Sequence, residues 1–204
     1  MPKLYQFDHN FYNQGYSRIC GIDEVGRGAL AGPVVAGAVL FEKEIFIDGV
    51  KDSKKLTPHR REELFDEIII NAAAWSVGIV NNQEIDRVNI LEATKKAMLT
   101  SVNYLEIEPE FILIDGRKWK DFPYNHEFVI KGDSKSFCIA SASIIAKVIR
   151  DRIMVMLSNL YPEYKFHDNK GYGTRAHVLA LSKHGPTSFH RRSFKPVYQP
   201  ELIF

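Results

Sequence analysis

The chain has 204 residues, of which 45% are hydrophobic and 25% are charged, so we expect a globular protein with one sizeable core. Its formal net charge is only +2, from 27 Lys and Arg against 25 Asp and Glu, and a nucleic-acid partner must therefore be argued from local basic clusters. Cys20 and Cys138 lie in apolar segments without the spacing of metal ligands, which favours reduced, buried thiols. No apolar run has the length of a membrane span or the form of a signal peptide, so we expect a cytoplasmic protein without a membrane partner.

The pattern around which the fold is predicted lies near the start of the chain. Two apolar runs, residues 19–22 and 33–41, are rich in β-branched and small residues and are bounded by Gly and Pro, which predicts two strands of one hairpin. Between them stand a carboxylate pair, Asp23 and Glu24, and a glycine-rich turn with a single cation, Arg27. Such a pair beside a basic turn with exposed amides is what metal-assisted chemistry on a phosphate needs.

Helices and strands alternate in the rest of the chain. The sequence predicts a loosely held lead-in at residues 1–18, then the hairpin, and then a connection or short strand at 42–49. These are followed by a helix that begins with Thr57 and Pro58, a strand at 75–80 and a helix from Asn89 to about Leu105. The rest of the chain is predicted to form strands at 111–114 and 127–131, helices at 136–157 and 174–184, and a basic, aromatic and proline-rich tail. The continuously apolar strand at 111–114 is typical of a parallel strand covered on both faces. The sequence therefore predicts one α/β domain with a mixed central sheet flanked by helices.

Acidic residues follow three of these strands at their carboxyl ends: Asp23 with Glu24, then Asp115, then Asp133. Ligands of open α/β sheets bind beyond the carboxyl ends of the strands, so these side chains are expected in one cleft. Their mutual repulsion would raise their pKa values unless a divalent cation bound there, and carboxylate oxygens favour Mg²⁺ or Mn²⁺. Because neighbouring strand residues point to opposite faces, we expect Glu24 to join only if the strand bends or bulges.

Each acid also has a plain structural alternative. Asp133 could cap the following helix, and Asp115 with Gly116 could form a turn. Asp23 and Glu24 at the mouth of a buried hairpin are harder to explain in this way. Taken together, the three positions favour a metal site.

Five segments, in this order, resemble bacterial ribonuclease HII: GIDEVGRGALAGPVVAGAV, DSKKLT, LIDG, KGDSKSFCIASASIIAKVIRD and KGYGT. The resemblance covers roughly residues 18–196. It implies the ribonuclease H-like fold, with a C-terminal helical portion at about residues 160–198 that closes over the substrate. It also implies two Mn²⁺ or Mg²⁺ ions and endonucleolytic cleavage of RNA in RNA–DNA hybrids and 5′ to single ribonucleotides in duplex DNA, leaving a 3′-hydroxyl and a 5′-phosphate.

The same resemblance assigns the metal ligands to Asp23, Glu24, Asp115 and Asp133. It implies that Asp23 bridges both ions and that Glu24 and Asp115 favour one of them. Asp133 would favour the other ion, which holds the attacking water.

The resemblance further places the ribonucleotide-reading loop at Gly26, Arg27 and Gly28, where it would approach the 2′-hydroxyl that distinguishes RNA from DNA. Tyr172 matches the family tyrosine that packs against the sugar next to the ribonucleotide and helps to sense an RNA–DNA junction. Contacts that position the duplex through its phosphates are expected from Ser53, Lys54, Lys55, Lys135, Ser136, Arg191 and Arg192. The alternatives are a plain hairpin turn for the loop, a core aromatic for the tyrosine and solvated surface charge for the cations.

Other classes of protein fit the pattern less well. Val25 and Ala29 depart from residues that are often alanine and proline in the family. The ribonuclease HIII family is the second choice for the resemblance. It ranks below ribonuclease HII because Arg27 stands between the two glycines and fewer than two dozen residues precede the first motif. A non-catalytic hybrid binder would gain nothing from four clustered carboxylates, and a phosphatase acting on small esters would not need a sugar-reading loop.

The tail at residues 199–204, from Gln199 to Phe204, resembles the short peptides that dock on the sliding clamp of DNA replication. The alternative is a terminal hydrophobic residue that packs on the body of the protein. We otherwise expect a monomer whose partner is an RNA–DNA hybrid or a ribonucleotide-containing DNA duplex.

Overall fold

A computed structural model describes residues 3–42 and 45–197, and five strands form one sheet within these ranges. The strands are β1 (Ile19–Val25), β2 (Val34–Phe41), β3 (Ala74–Val80), β4 (Phe111–Asp115) and β5 (His126–Val129). Their order in the sheet is β3-β2-β1-β4-β5, with β1–β2 and β2–β3 antiparallel and β1–β4 and β4–β5 parallel. The prediction of an α/β fold with a mixed central sheet is confirmed.

The helices described agree with the predicted alternation and add three to it, one at the N-terminus and two short ones. They are α1 (Lys3–Asn13), α2 (Pro58–Asn71), α3 (Asn82–Val88), α4 (Ile90–Asn103), α5 (Phe137–Leu160), α6 (Phe166–Asn169) and α7 (Arg175–His184). Thr57 caps α2 by accepting the Arg60 amide, and Asn89 caps α4. The helix α3, capped by Asn81, was not predicted. None of the helices described is both long and apolar enough to cross a bilayer.

Helices cover both faces of the sheet. On one face α1, α2 and α5 pack on alternate strand residues such as Ile19 and Val39, and on the other α3 and α4 pack on Cys20 and Ile22. The long helix α5 lies so close to β1 that a Cβ on Gly21 would stand 2.1 Å from the Cys138 carbonyl carbon. The tight contact fixes where the first turn of α5 crosses β1.

The N-terminal residues are held more firmly than the sequence suggested. The Tyr5 hydroxyl donates to the Ile47 carbonyl and accepts from the Ile47 amide, both at 2.9 Å. Asp8 Oδ2 accepts the Cys138 amide at 2.8 Å, which satisfies an otherwise free donor in the first turn of α5. The expected lead-in at residues 1–18 is therefore corrected: residues 3–13 form a helix packed on the core.

The C-terminal residues form a third apolar cluster against the glycine-rich loop. Leu30 and Ala31 of the loop pack with Met154 of α5, with Phe166 and with Leu181 of α7. The residues described between 45 and 49 contain no strand. The predicted tail at residues 199–204 lies outside the described residues.

Candidate active site

Three of the four predicted carboxylates meet at one end of the sheet. One carboxylate oxygen each from Asp23, Glu24 and Asp115 lie within 4.8 Å of one another. Asp23 is buried, with 5% of its surface exposed, while Glu24 and Asp115 are half-buried. The sheet register explains the pairing of the two aspartates, because Ile22 is level with Ile114 on the parallel strand β4 and each aspartate is the next residue.

Glu24 joins this group without the predicted irregularity. The pairing of β1 with β2 runs unbroken from Ile19 opposite Phe41 to Val25 opposite Val35, so the strand does not bulge. The pairing of β1 with β4, in contrast, ends at Ile22. Glu24 thus lies beyond the last residue of β1 that pairs with β4, and its longer side chain reaches the carboxylates of the two aspartates.

The electrostatics of this group oppose its full ionisation. Burial raises the pKa of Asp23 well above its ordinary value, and the charges of Glu24 and Asp115 raise it further. Burial likewise raises the pKa of Asp115, although its Oδ1 accepts the Gly132 amide at 2.6 Å. Carboxylates that are crowded in this way are suited to bind a divalent cation, which favours their ionised forms.

Asp133 lies beside the group rather than within it. It stands in a single-turn helix, Gly132–Ser134, whose first amide is the one bonded to Asp115. The Lys54 ammonium lies 3.8 Å from Asp133 Oδ2. Burial lowers the pKa of Lys54, but the charges of Asp23 and Asp133 outweigh burial and the net shift is upward. The fourth carboxylate is thus near enough to act electrostatically on Asp23 and Asp115.

The glycine-rich loop lies directly next to the carboxylates. Gly26 is buried at a φ of +94°, which favours glycine, and Gly28 is exposed. The exposed guanidinium of Arg27 pairs with Glu24 at 3.1 Å. A cleft of 410 Å³ adjoins this pair and is lined by Glu24, Arg27, Leu91, Thr94, Lys95, Met98, Asp115, Gly116, Arg117 and Trp119. A negatively charged ligand at the carboxylates would therefore have basic side chains on one flank.

Tyr172 is brought to the same loop from the far end of the sequence. Its backbone forms an antiparallel bridge with Ala29, and the Leu30 amide donates to the Gly171 carbonyl at 2.8 Å. The tyrosine side chain is half-buried. The predicted sugar-sensing tyrosine and the predicted reading loop thus form one continuous surface.

Three residues expected to contact phosphate are buried and have other partners. The Ser53 hydroxyl lies 2.9 Å from that of Ser143, and the Ser136 hydroxyl accepts the Ile139 amide at 3.2 Å as the cap of α5. Arg191 is fully buried beneath the glycine-rich loop. Because their polar atoms face the interior, the expectation of surface phosphate contacts is corrected for these three residues.

The other expected phosphate contacts are exposed. Lys54, Lys55, Lys135 and Arg192 all present their side chains to solvent. Lys55 pairs with Asp52 at 3.7 Å, whereas the Arg192 backbone amide donates to Asp86. These four cations stay predictions for contacts with a duplex.

Two buried arginines support the loop, and the sequence reading did not assign this role to either. Arg191 Nε donates to the Gly32 carbonyl at 3.0 Å and its Nη1 to the Arg27 carbonyl at 2.8 Å. Arg150 of α5 is also fully buried and bonds three more carbonyl oxygens. The signal for Arg150 was its helical spacing, since it lies four residues after Ala146 and four before Met154 on the buried side of α5.

Comparison with known proteins identifies a family and similar folds. The family model for ribonuclease HII matches residues 20–197. A ribonuclease HII of Caldicellulosiruptor saccharolyticus is 48% identical over 190 residues, which cover 93% of this chain and 93% of that relative. Ribonuclease H2 from Pyrococcus horikoshii OT3 has a TM-score of 0.73 at 29% identity, covering 91% of this chain and 98% of that one. The Archaeoglobus fulgidus ribonuclease HII, solved in a complex with PCNA, has a TM-score of 0.69 at 28% identity, and the match covers 85% of this chain and 91% of that one.

Proposed function

This chain belongs to the ribonuclease HII family and is a ribonuclease H-type endonuclease, and from this premise we propose its substrates and mechanism. It hydrolyses the RNA strand of RNA–DNA hybrids and nicks duplex DNA 5′ to a single embedded ribonucleotide. The products carry a 3′-hydroxyl and a 5′-phosphate, and the reaction serves to remove ribonucleotides from DNA. The observation that carries the proposal is the meeting of Asp23, Glu24 and Asp115 within 4.8 Å, directly beside the loop that contains Arg27.

We propose that two Mn²⁺ or Mg²⁺ ions bind at these carboxylates, with Asp133 as the fourth ligand. The residues fit such ions because oxygen ligands are crowded there and the buried Asp23 has no cation paired with it among the described residues. Bound ions would supply an activated water and stabilise the charge that develops on the phosphate.

The protein itself holds and orients the scissile strand. In this proposal the backbone of Gly26–Arg27–Gly28 approaches the 2′-hydroxyl, and Arg27 exchanges its partner Glu24 for an adjoining phosphate. Tyr172 packs against the neighbouring sugar. Lys54, Lys55, Lys135 and Arg192 contact phosphates on either side and fix the register of the duplex without reading its sequence.

The test is incubation of the protein and Mn²⁺ or Mg²⁺ with a DNA duplex that contains one ribonucleotide. We expect one nick 5′ to the ribonucleotide, with a 3′-hydroxyl on the upstream product. An all-DNA duplex of the same sequence and an RNA–DNA hybrid are run alongside. Cleavage of the hybrid without nicking of the single-ribonucleotide duplex would refute the finer substrate assignment, and uncut hybrid would refute the chemistry.

We also propose that residues 199–204 dock on the replication sliding clamp. The support is the Gln, Leu and Phe pattern of this segment, together with the Archaeoglobus fulgidus relative solved as a PCNA complex. A pull-down with the bacterial clamp is expected to retain the full chain and to lose the chain that lacks residues 199–204. Equal retention of both chains would end this proposal, and naked-duplex cleavage by the shortened chain serves as the control for folding.

A further inference from the structure

Arg150 is a buried cation with no carboxylate partner among the described residues. Its Nε donates to the Pro33 carbonyl at 2.9 Å, its Nη1 to the Lys170 carbonyl at 2.9 Å and its Nη2 to the Ala31 carbonyl at 3.2 Å. Three backbone oxygens therefore replace water around the guanidinium, whose planar fork can serve several acceptors at once.

These three acceptors belong to two segments that are far apart in sequence. Pro33 and Ala31 lie in the glycine-rich loop, residues 26–33, and Lys170 immediately precedes the segment that carries Tyr172. The Arg150 guanidinium carbon also lies 5.2 Å from the centre of the Tyr172 ring, within the range of a cation–π contact. One side chain thus touches both parts of the surface that is proposed to read the substrate.

The loop is built around this side chain. A Cβ on Gly26 would stand 2.1 Å from Arg150 Nε, so the first residue of the loop lies directly against the guanidinium. Arg191, which is also fully buried beneath the loop, donates hydrogen bonds to the carbonyls of Gly32 and Arg27, both of which belong to the loop. Of these two arginines, Arg150 is the one whose side chain bonds both the loop and the segment that leads to Tyr172.

The free-energy cost of burying the charged Arg150 side chain argues for a functional role. Burial lowers the pKa of Arg150, which shows that the environment disfavours its charge. A well-packed apolar residue commonly stabilises a buried site better than an ion does. A residue required only to fill the space under the loop would not need to be charged.

We propose that Arg150 is a positioning residue for recognition of the RNA–DNA junction, holding the glycine-rich loop and Tyr172 at a fixed separation. The inference rests on the proposed function, because it assumes that the loop reads the ribonucleotide and the tyrosine its neighbouring sugar. A single embedded ribonucleotide offers one 2′-hydroxyl and one junction, so both parts of the surface must engage together. A continuous RNA strand offers a 2′-hydroxyl at every step and depends less on that separation.

The test compares Arg150→Lys with Arg152→Lys, an exposed arginine two residues further along α5 that pairs with Glu62. Lysine keeps the charge but cannot bond three separated carbonyls. For each variant kcat/KM is measured on a duplex with one ribonucleotide and on an RNA–DNA hybrid, and thermal melting checks folding. We expect Arg150→Lys to lose about 10- to 100-fold on the single-ribonucleotide duplex and at most about threefold on the hybrid. Arg152→Lys is expected to change neither.

A double-mutant cycle tests whether Arg150 acts through Tyr172. In a Tyr172→Ala background, Arg150→Lys is expected to lower junction cleavage by no more than about twofold, because the tyrosine it positions is absent. Equal losses on both substrates, or fully additive losses with Tyr172→Ala, would overturn the inference. If Arg150→Lys does not fold, the uncharged Arg150→Gln takes its place, and its losses of kcat/KM on the two substrates are compared in the same way. Failure of the wild type to nick the single-ribonucleotide duplex would instead refute the proposed function itself.

Discussion

Asp23 is the residue at which stability and function conflict most directly. Its carboxyl is buried, and burial together with the charges of Glu24 and Asp115 raises its pKa. Its Oδ1 also accepts the Glu24 amide at 2.7 Å, a bond that an asparagine can keep. Residues placed for catalysis commonly reduce the stability of the fold that carries them.

We expect Asp23→Asn to be inactive and, without metal, more stable than the wild type. Cleavage should fall at least about a hundredfold because a metal ligand is lost. Melting of the metal-free protein at pH 7 should rise, by about 2–4 °C for each kcal/mol of repulsion relieved. A native pKa above the unfolded value lowers stability as pH increases, so the gain should shrink towards pH 4.

The control for this substitution is Asp66→Asn on the exposed side of α2, which should change neither property. A metal-free Asp23→Asn protein that melts below the wild type at pH 7 would contradict the assigned repulsion.

At the scale of elements, α1 is anchored by contacts that the local sequence does not reveal. Tyr5 bonds both polar groups of Ile47, 42 residues away, and Asp8 bonds an amide 130 residues away. A polar, aromatic stretch without an apolar run gives no local sign of such docking. The expectation of a loose lead-in at residues 1–18 was wrong for residues 3–13 for this reason.

Tyr5→Phe should destabilise the protein by about 1–3 kcal/mol, because it leaves the buried Ile47 amide without a partner and the Ile47 carbonyl with only the Val50 amide at 3.5 Å. Urea unfolding monitored by circular dichroism measures the change. Tyr104→Phe is the matched control, since 69% of the Tyr104 surface is exposed. Equal free energies of unfolding for the two variants would mean that α1 is not held in this way.

The C-terminal portion contains a pair of buried histidines whose protons are fixed by their neighbours. His177 Nδ1 donates to the Tyr172 carbonyl at 2.9 Å, so its Nε2 is an acceptor. His190 Nδ1 accepts the Thr187 amide at 2.9 Å, so its Nε2 donates to His177 Nε2 at 3.0 Å. A further proton on either ring would break one of these bonds.

This pair should make stability depend on pH between about 6.5 and 4. Burial, together with the charges of His177 and Arg192, lowers the pKa of His190 to about 4. The unfolded chain therefore binds a proton at His190 before the native protein does, and stability is lost as the pH falls through this window.

The free energy of unfolding of the wild type and of His190→Gln, measured by urea at pH 7 and pH 5, tests this dependence. We expect the advantage of the wild type to shrink by about 1–2 kcal/mol at the lower pH. An advantage that is constant or grows would contradict the neutral pair. Comparison with the variant is needed because burial raises the pKa of Asp8 to about 6. The contribution of Asp8 to the free energy of unfolding therefore increases as the pH falls, opposite to that of His190.

At the scale of the whole molecule, a net charge of +2 does not show where a polyanion binds. The proposed contacts are local, and the exposed Lys135 is one of them. Lys135→Ala in an inactive Asp23→Asn background should weaken duplex binding and reduce the slope of log Kd against log salt by about 0.7–0.9. Lys96→Ala, an exposed lysine paired with Glu84, should leave the slope unchanged. An unchanged slope for both would remove Lys135 from the interface.

Features that depend on residues adjacent in sequence could be predicted from the sequence alone. Strands that end in acids located Asp23 and Asp115 at one edge, because parallel strands end together. The sequence did not predict that Glu24 reaches them from a regular strand, which depends on where β4 stops pairing. It also misjudged Ser136 and Arg191, because serine and arginine are mostly exposed and only the packing of α5 and the C-terminal portion buries them.

The proposed function requires that acids from distant parts of the chain form one metal site at the end of the sheet. Anomalous diffraction from crystals grown with Mn²⁺ tests it most directly. We expect two peaks about 3.5–4 Å apart, both at Asp23, with Glu24 and Asp115 on one and Asp133 nearest the other. Crystals without a peak at Asp23, or with Mn²⁺ bound only elsewhere, would contradict the account.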